Sequence, residues 1–280
     1  MTQQCPDAWV TTSWSFCGLS PKRWARMNPS DLPTLAQHNE IVITMLQSGD
    51  QVRSVCYGEQ GLYQHARPSM LHIDCSTIDV PCAQEIYQRA HQFDLLAVDA
   101  PVSGGVAAAQ AATLTFMLGG NPAECTAATP ILQAMGKQVI QTGASGSGQA
   151  AKICNNMILG ISMLAVSEGF ILAQRLGLSP QKLHEVVTHA SGHCWVMDHY
   201  VPVPNVLENV PANHAYQPGF TLNMMLKDLH LSQTAAQTHQ VTTPIANMAT
   251  QIFEHAQTSG LGSLDFSSVI TWLEQNKTAN

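Results

Sequence analysis

The stretch Gly143-Ala144-Ser145-Gly146-Ser147-Gly148-Gln149-Ala150-Ala151-Lys152-Ile153-Cys154-Asn155-Asn156 divides this sequence into two halves of different pattern. It opens with small turn-forming residues and runs straight into a long apolar segment that ends near Gly177. Ser145 or Ser147 offers an N-cap, and only the tolerated Gly160 and Gly169 interrupt helix formers up to Leu176, so a helix over about 148–176 is expected.

Before this stretch, short apolar runs alternate with helical patterns. Glu40–Leu46, Met70–Asp74, Asp94–Asp99, Thr113–Leu118 and Gln138–Gln141 read as strands. Pro81–Gln92 and a segment from Pro122 to about Met135, capped by Asn121, read as helices. That alternation predicts an α/β, Rossmann-like doubly wound sheet. After Gly143 the strand signals stop. Helices are expected from Ser179 to about Ala190 and over about 221–239, 245–257 and 264–275, with an irregular stretch from Ser191 to Phe220. The expected division is 1–142 for a dinucleotide-binding domain and 143–280 for an all-helical substrate and oligomerisation domain. Residues 1–40 show neither a 2- nor a 3.6-residue apolar period, and no element is expected before Asp31.

Composition narrows the function classes. The 280 residues are 45% hydrophobic and 11% charged, enough to bury a sizeable core with little surface charge. A net charge of −7 with only 12 Lys and Arg leaves no basic patch for nucleic acid or an anionic membrane. Eight cysteines without a C-x-x-C pair suit reduced thiols in a cytoplasmic protein. No H-E-x-x-H occurs and Ser191-Gly192 separates His189 from His193, so no metal site is expected. The apolar run Met157–Val166 is read as too short to span a bilayer, and no signal peptide is discerned.

Two groups of residues carry candidate chemistry. Lys152 and Asn156 are i and i+4 and share one helical face. A lysine held near a helix N-terminus and partly buried loses affinity for its proton and can exchange it, and a carboxamide one turn away can hold an ammonium or a hydroxyl. Ser103-Gly104-Gly105, after a strand, can present successive backbone N–H groups and a hydroxyl to a carboxylate or phosphate. Taken singly, a helical Lys–Asn pair is most often ordinary surface and S-G-G an ordinary turn.

In combination these stretches resemble the β-hydroxyacid dehydrogenase family. The match rests on Asp99-Ala-Pro-Val-Ser-Gly-Gly105, Thr113-Leu-Thr-Phe-Met-Leu-Gly-Gly120, and Gly146-x-Gly148-x-x-x-Lys152-x-x-Asn155-Asn156. Asp74-Cys-Ser-Thr-Ile-Asp79, Ser191-Gly-His-Cys-Trp195 with Pro202-Val-Pro204, and Met225-Leu-Lys-Asp-Leu229 add to it, the tryptophan and proline stretches favouring the 3-hydroxyisobutyrate branch. The likeness runs over about 40–270 in one register. It implies NAD-dependent oxidation of a small 3-hydroxy acid to its semialdehyde, for 3-hydroxyisobutyrate a step of valine breakdown. Lys152 would be the acid/base, Asn156 would place the substrate, and Ser103, Gly104 and Gly105 would hold its carboxylate. Leu46, Thr77 and Lys227 would contact the dinucleotide or reach into its site, and a homodimer or homotetramer would form through the helical part. A sister dehydrogenase of serine or tartronate semialdehyde, and a catalytically impaired oligomerising member, are the alternatives.

The sequence departs from the family at one important place. The resemblance implies a first strand followed by G-x-G-x-x-G, the turn that cradles the pyrophosphate at a helix N-terminus, and no such spacing occurs among the 19 glycines. The residue that would choose NAD over NADP is unreadable, Val10-Thr-Thr-Ser13 having no acid. Weak dinucleotide binding and an exposed apolar edge on Glu40–Leu46 are therefore expected. Gln47 stands where the family usually has proline, and His193 where close members often carry arginine.

Overall fold

The computed structural model describes the backbone of Trp9–Thr11 and residues 32–275. The remaining N-terminal readings, including Thr12 and Ser13, lie outside the described residues. Two compact units emerge, residues 1–152 and 153–280.

In the first unit the elements run β1 (Trp9–Thr11), α1 (Leu32–His38), β2 (Ile41–Met45), α2 (Gly49–Tyr57), β3 (Leu71–Asp74), α3 (Val80–Gln92), β4 (Leu96–Asp99), β5 (Val102–Ser103), α4 (Gly105–Gln110), β6 (Leu114–Gly119), α5 (Pro122–Gln133) and β7 (Gly136–Gly143). They form one sheet in the order β1-β2-β3-β4-β6-β5, with β7 on β6. The strands β2, β3 and β4 are parallel, as are β6 and β7, whereas β6 joins β4 antiparallel through Asp99 and Gly119. The sheet is thus mixed and Rossmann-like.

Period-two alternation explains why both faces are covered. Ile41, Ile43, Leu71, Ile73 and Val98 belong to a core with Cys125, Ala128, Ile131 and Leu132 of α5. Val42, Leu46 and Ala97 belong to a second core with Val52 and Cys56 of α2 and Cys82, Ala83 and Ile86 of α3. Successive strand side chains point to opposite faces, so each strand feeds both layers. Proline at the first turn and a side-chain cap start α3 from Asp79 and α5 from Asn121, the latter with Glu124 completing a reciprocal capping box.

Two sequence expectations are corrected here. The edge of β2 is partly covered, because Trp9–Thr11 pairs antiparallel with Ile43–Met45. An element does therefore precede Asp31. The helices α2 and α4 also escaped the pattern reading: α2 mixes polar and apolar residues, and α4 buries nothing.

The helix α6 (Ser147–Arg175) begins in the first unit and supplies a core helix of the second. Then come α7 (Pro180–Val187), α8 (Trp195–His199), α9 (Leu222–Thr238), α10 (Pro244–Ala256) and α11 (Val269–Gln275). The stretch expected to be irregular thus holds α8 and a 3-10 turn at Pro211–His214. Met163 and Leu164 of α6 pack with Met225, Leu226 and Leu229 of α9 and Phe253 of α10. Gly160 permits the close approach of α6 and α9: a Cβ there would lie 3.1 Å from Leu229 and 3.3 Å from the Met225 sulfur. By length and composition α6 is sufficient to cross a membrane, which corrects the reading of Met157–Val166 as too short. Its inward residues are built into the helical core described above.

Candidate active site

Lys152 lies at the end of the second turn of α6, and the start of that helix is fixed from the sheet. Asp99, at the carboxyl end of β4, accepts the N–H of Gly146 at 2.7 Å and of Gln149 at 3.0 Å. A buried carboxylate from another strand therefore satisfies the helix start for which Ser145 or Ser147 was expected. Ser147 is already inside the helix, and its hydroxyl lies 2.8 Å from that of Thr142. Gly148 is obligatory, since a Cβ would meet the Met117 carbonyl at 2.2 Å. Burial pushes the Asp99 carboxyl above the usual carboxylate range, against the N–H groups that favour its ionised form.

One turn further, Asn156 belongs to a cluster of the second unit. Its amide donates to Asp228 at 2.5 Å, and its carbonyl accepts from Asn155 at 2.9 Å. The ammonium of Lys227 lies 3.0 Å from the other Asp228 oxygen. Lys152, Asn156 and Asp228 are 7%, 1% and 2% exposed, which removes the surface reading of the Lys–Asn pair. Asp228 was quoted within a motif but given no role from the sequence. Its partner lies 72 residues away, a pairing that no local spacing reveals.

The Ser103–Gly105 turn also belongs to the first unit. Ser103 ends β5 and pairs with Thr115, while Gly104 and Gly105 begin α4 at φ 132° and 67°, backbone that side chains seldom adopt. A Cβ on Gly104 would strike Ala108 at 2.5 Å. Both glycines are exposed, and the first N–H groups of a helix have no intrahelical partner. Such a turn can receive a carboxylate.

Leu46 and Thr77 follow the carboxyl ends of β2 and β3, where an open α/β sheet takes its ligand. The backbone around them is fastened: Leu46 N–H donates to Ser76 Oγ at 2.8 Å, and Gln149 bridges the Ile78 N–H and the Ser76 carbonyl. Leu46 and Thr77 thus stand at strand ends of the kind that can receive a dinucleotide. For the pyrophosphate, the described residues contain no G-x-G-x-x-G turn, and the other glycine-rich turn, Gly143–Gly148, already gives N–H groups to Asp99. A small cavity lined by Asp74, Tyr87 and Asp99 measures about 10 Å³, too little for a hydroxy acid. No cluster of His, Cys, Asp and Glu suited to a metal occurs among the described residues.

Comparison with known proteins places this geometry. Residues 23–143 match the NAD-binding domain of 6-phosphogluconate dehydrogenase, and residues 146–273 match the NAD-binding family of NADP-dependent 3-hydroxyisobutyrate dehydrogenase. A probable 3-hydroxyisobutyrate dehydrogenase of Mycobacterium tuberculosis is 42% identical over 252 residues, 88% of this chain and 83% of the relative. The mitochondrial 3-hydroxyisobutyrate dehydrogenase of Rattus norvegicus is 40% identical over 251 residues, 90% of this chain and 74% of the relative. The solved Mycobacterium tuberculosis 3-hydroxyisobutyrate dehydrogenase with L-serine superposes at a TM-score of 0.80, with 43% identity, covering 86% of this chain and 81% of that one. Both family models describe nicotinamide-dinucleotide domains, and with a buried lysine one turn from an anchored asparagine on the helix that follows the sheet, the chain belongs to the 3-hydroxyisobutyrate dehydrogenase family.

Proposed function

We propose that the chain oxidises 3-hydroxyisobutyrate to methylmalonate semialdehyde, with NAD as the hydride acceptor. The observation that carries this reading is the buried Lys152, one turn from an Asn156 whose amide is fixed by Asp228. A nicotinamide cofactor, when bound, would supply the acceptor for the hydride of the alcohol carbon. Lys152 Nζ accepts the hydroxyl proton as that hydride leaves. Asn156 orients the hydroxyl, and Asp228 keeps the carboxamide from rotating. The N–H groups after Ser103 hold the substrate carboxylate. Lys227, drawn to Asp228, adds positive charge on the same cluster.

Residues 1–142 serve the dinucleotide and 143–280 serve substrate and self-association. A stripe of α6 and its end, Ile158, Leu172 and Leu176, is 60%, 61% and 76% exposed, which supports a homodimer or homotetramer through the helical part. Six unpaired cysteines among the described residues suit a reducing compartment such as the cytoplasm. The L-serine held by the solved relative has the same carboxylate and 3-hydroxyl spacing, and it keeps a serine-type dehydrogenase as the second reading.

The deciding experiment follows NADH formation by the purified chain with 3-hydroxyisobutyrate, L-serine and D-glycerate, the alcohol form of tartronate semialdehyde, in parallel. Highest kcat/KM with 3-hydroxyisobutyrate is expected. Preference for L-serine moves the assignment to the second reading, and no turnover of any of them with NAD or NADP refutes both.

A further inference from the structure

A buried polar chain crosses the first unit on the face of the sheet covered by α2 and α3. The Tyr63 hydroxyl lies 2.7 Å from His72 Nδ1, and His72 Nε2 lies 2.8 Å from Thr44 Oγ1. Thr44 donates to Asp74 Oδ1 at 2.8 Å. From the other side the Ser76 hydroxyl donates to the same oxygen at 2.6 Å, and the Ser76 N–H lies within 3.2 Å. Ser76 Oγ then accepts the Leu46 N–H. All five side chains are almost wholly buried. One consistent direction links them: Tyr63 donates to Nδ1, the Nε2–H form of His72 donates to Thr44, and Thr44 and Ser76 donate to Asp74 Oδ1, while Asp74 Oδ2 has no hydrogen-bond partner among the described residues. Two arms of hydroxyl donors thus converge on one carboxylate oxygen.

The position of that carboxylate matters more than its number of bonds. Thr44 and Asp74 face each other at the carboxyl ends of β2 and β3, and the next residues, Met45–Gln47 and Cys75–Ile78, form the rim on which Leu46 and Thr77 stand.

We infer that Asp74 and Ser76 are positioning residues that lock the Leu46 and Thr77 loops together as one rim for the nicotinamide end of the cofactor. The inference rests on the dehydrogenase reading given above. A polar core at this place costs more to bury than an apolar one, since an unmatched hydroxyl or carboxylate is penalised. Its return is directional: hydrogen bonds fix the loop backbone, whereas Val or Leu would only fill the volume.

The test compares Ser76→Ala, Ser76→Thr and Asp74→Asn with the unaltered chain. Amide exchange without cofactor is read at Leu46, and steady-state kinetics are run with NAD varied into the millimolar range. Ser76→Ala is expected to speed Leu46 exchange and raise the KM for NAD about tenfold, the scale of one lost net hydrogen bond. The KM for the hydroxy acid should stay within about twofold, since its carboxylate is held elsewhere. Ser76→Thr, which keeps the hydroxyl, should restore both values. Tyr63→Phe, at the far end of the chain, should lower thermal stability and leave the KM for NAD unchanged. If Ser76→Ala loses stability and Leu46 protection while its KM for NAD stays normal, the network is only structural and the inference is wrong. An unaltered chain that shows no NAD-dependent turnover overturns the dehydrogenase reading and this inference with it; an active one with normal variants overturns this inference alone. Should Asp74→Asn fail to fold, the serine pair still decides.

Discussion

Replacing Asp99 with alanine tests how the two halves of the sequence are joined at the start of α6. The carboxylate is 4% exposed and accepts N–H groups from Gly146 and Gln149, both themselves buried. Removing it leaves two buried backbone donors unpaired, each costing roughly 1–3 kcal/mol. Relief from burying a carboxylate offsets part of this, because burial already disfavours its ionised form. The net expected loss is about 2–4 kcal/mol, a large share of the roughly 5–15 kcal/mol that holds a domain folded. Urea unfolding followed by far-ultraviolet circular dichroism measures the loss, and amide exchange at Gly146–Gln149 locates it. Asp99→Asn keeps one acceptor oxygen and should fall between the wild type and Asp99→Ala. A loss below about 0.5 kcal/mol, the level of an ordinary surface substitution, would refute the capping role.

Other outcomes follow from the same geometry. Lys152→Ala should lower turnover at least about a hundredfold with little change in NADH affinity, and near-normal turnover would remove this lysine from the chemistry. Gly104→Leu should raise the KM for the hydroxy acid and spare NAD binding, since the change both strains φ at 132° and covers the N–H groups; collapse of dinucleotide binding instead would assign the turn to phosphate. Gly160→Leu should cost about 1–3 kcal/mol by forcing α6 from α9, read as a lower urea midpoint. Burial raises the carboxyl pKa of Asp74 in the folded chain, so this group's stabilising contribution is full below its unfolded pKa and is lost as pH rises through the folded value. The stability advantage of wild type over Asp74→Asn should accordingly widen as pH falls from about 7 toward about 4, and a constant difference would contradict the burial argument. Calorimetric titration should give an NADH dissociation constant weaker than about 100 µM, because no glycine turn is left to grip the pyrophosphate; a value near 1 µM would show that the N-terminal residues build that grip.

The sequence by itself determined what depends on local pattern. Short apolar runs at Glu40–Leu46 and Met70–Asp74 named buried strands, and Pro81 and Asn121-Pro122 marked helix starts, because caps and prolines act within one turn. The Lys152 and Asn156 pair was legible for the same reason: helical spacing alone puts both on one face. Tertiary structure decided which partners those side chains received. Asp99 caps α6 from 47 residues away, and Asp228 anchors Asn156 from 72 away. His72 and Thr44, ordinary strand residues in a pattern reading, became members of a buried network only when β2 and β3 were set side by side. Hydrogen bonds across such separations are closed by the packing of the sheet and its helices, and a one-dimensional spacing carries no record of them.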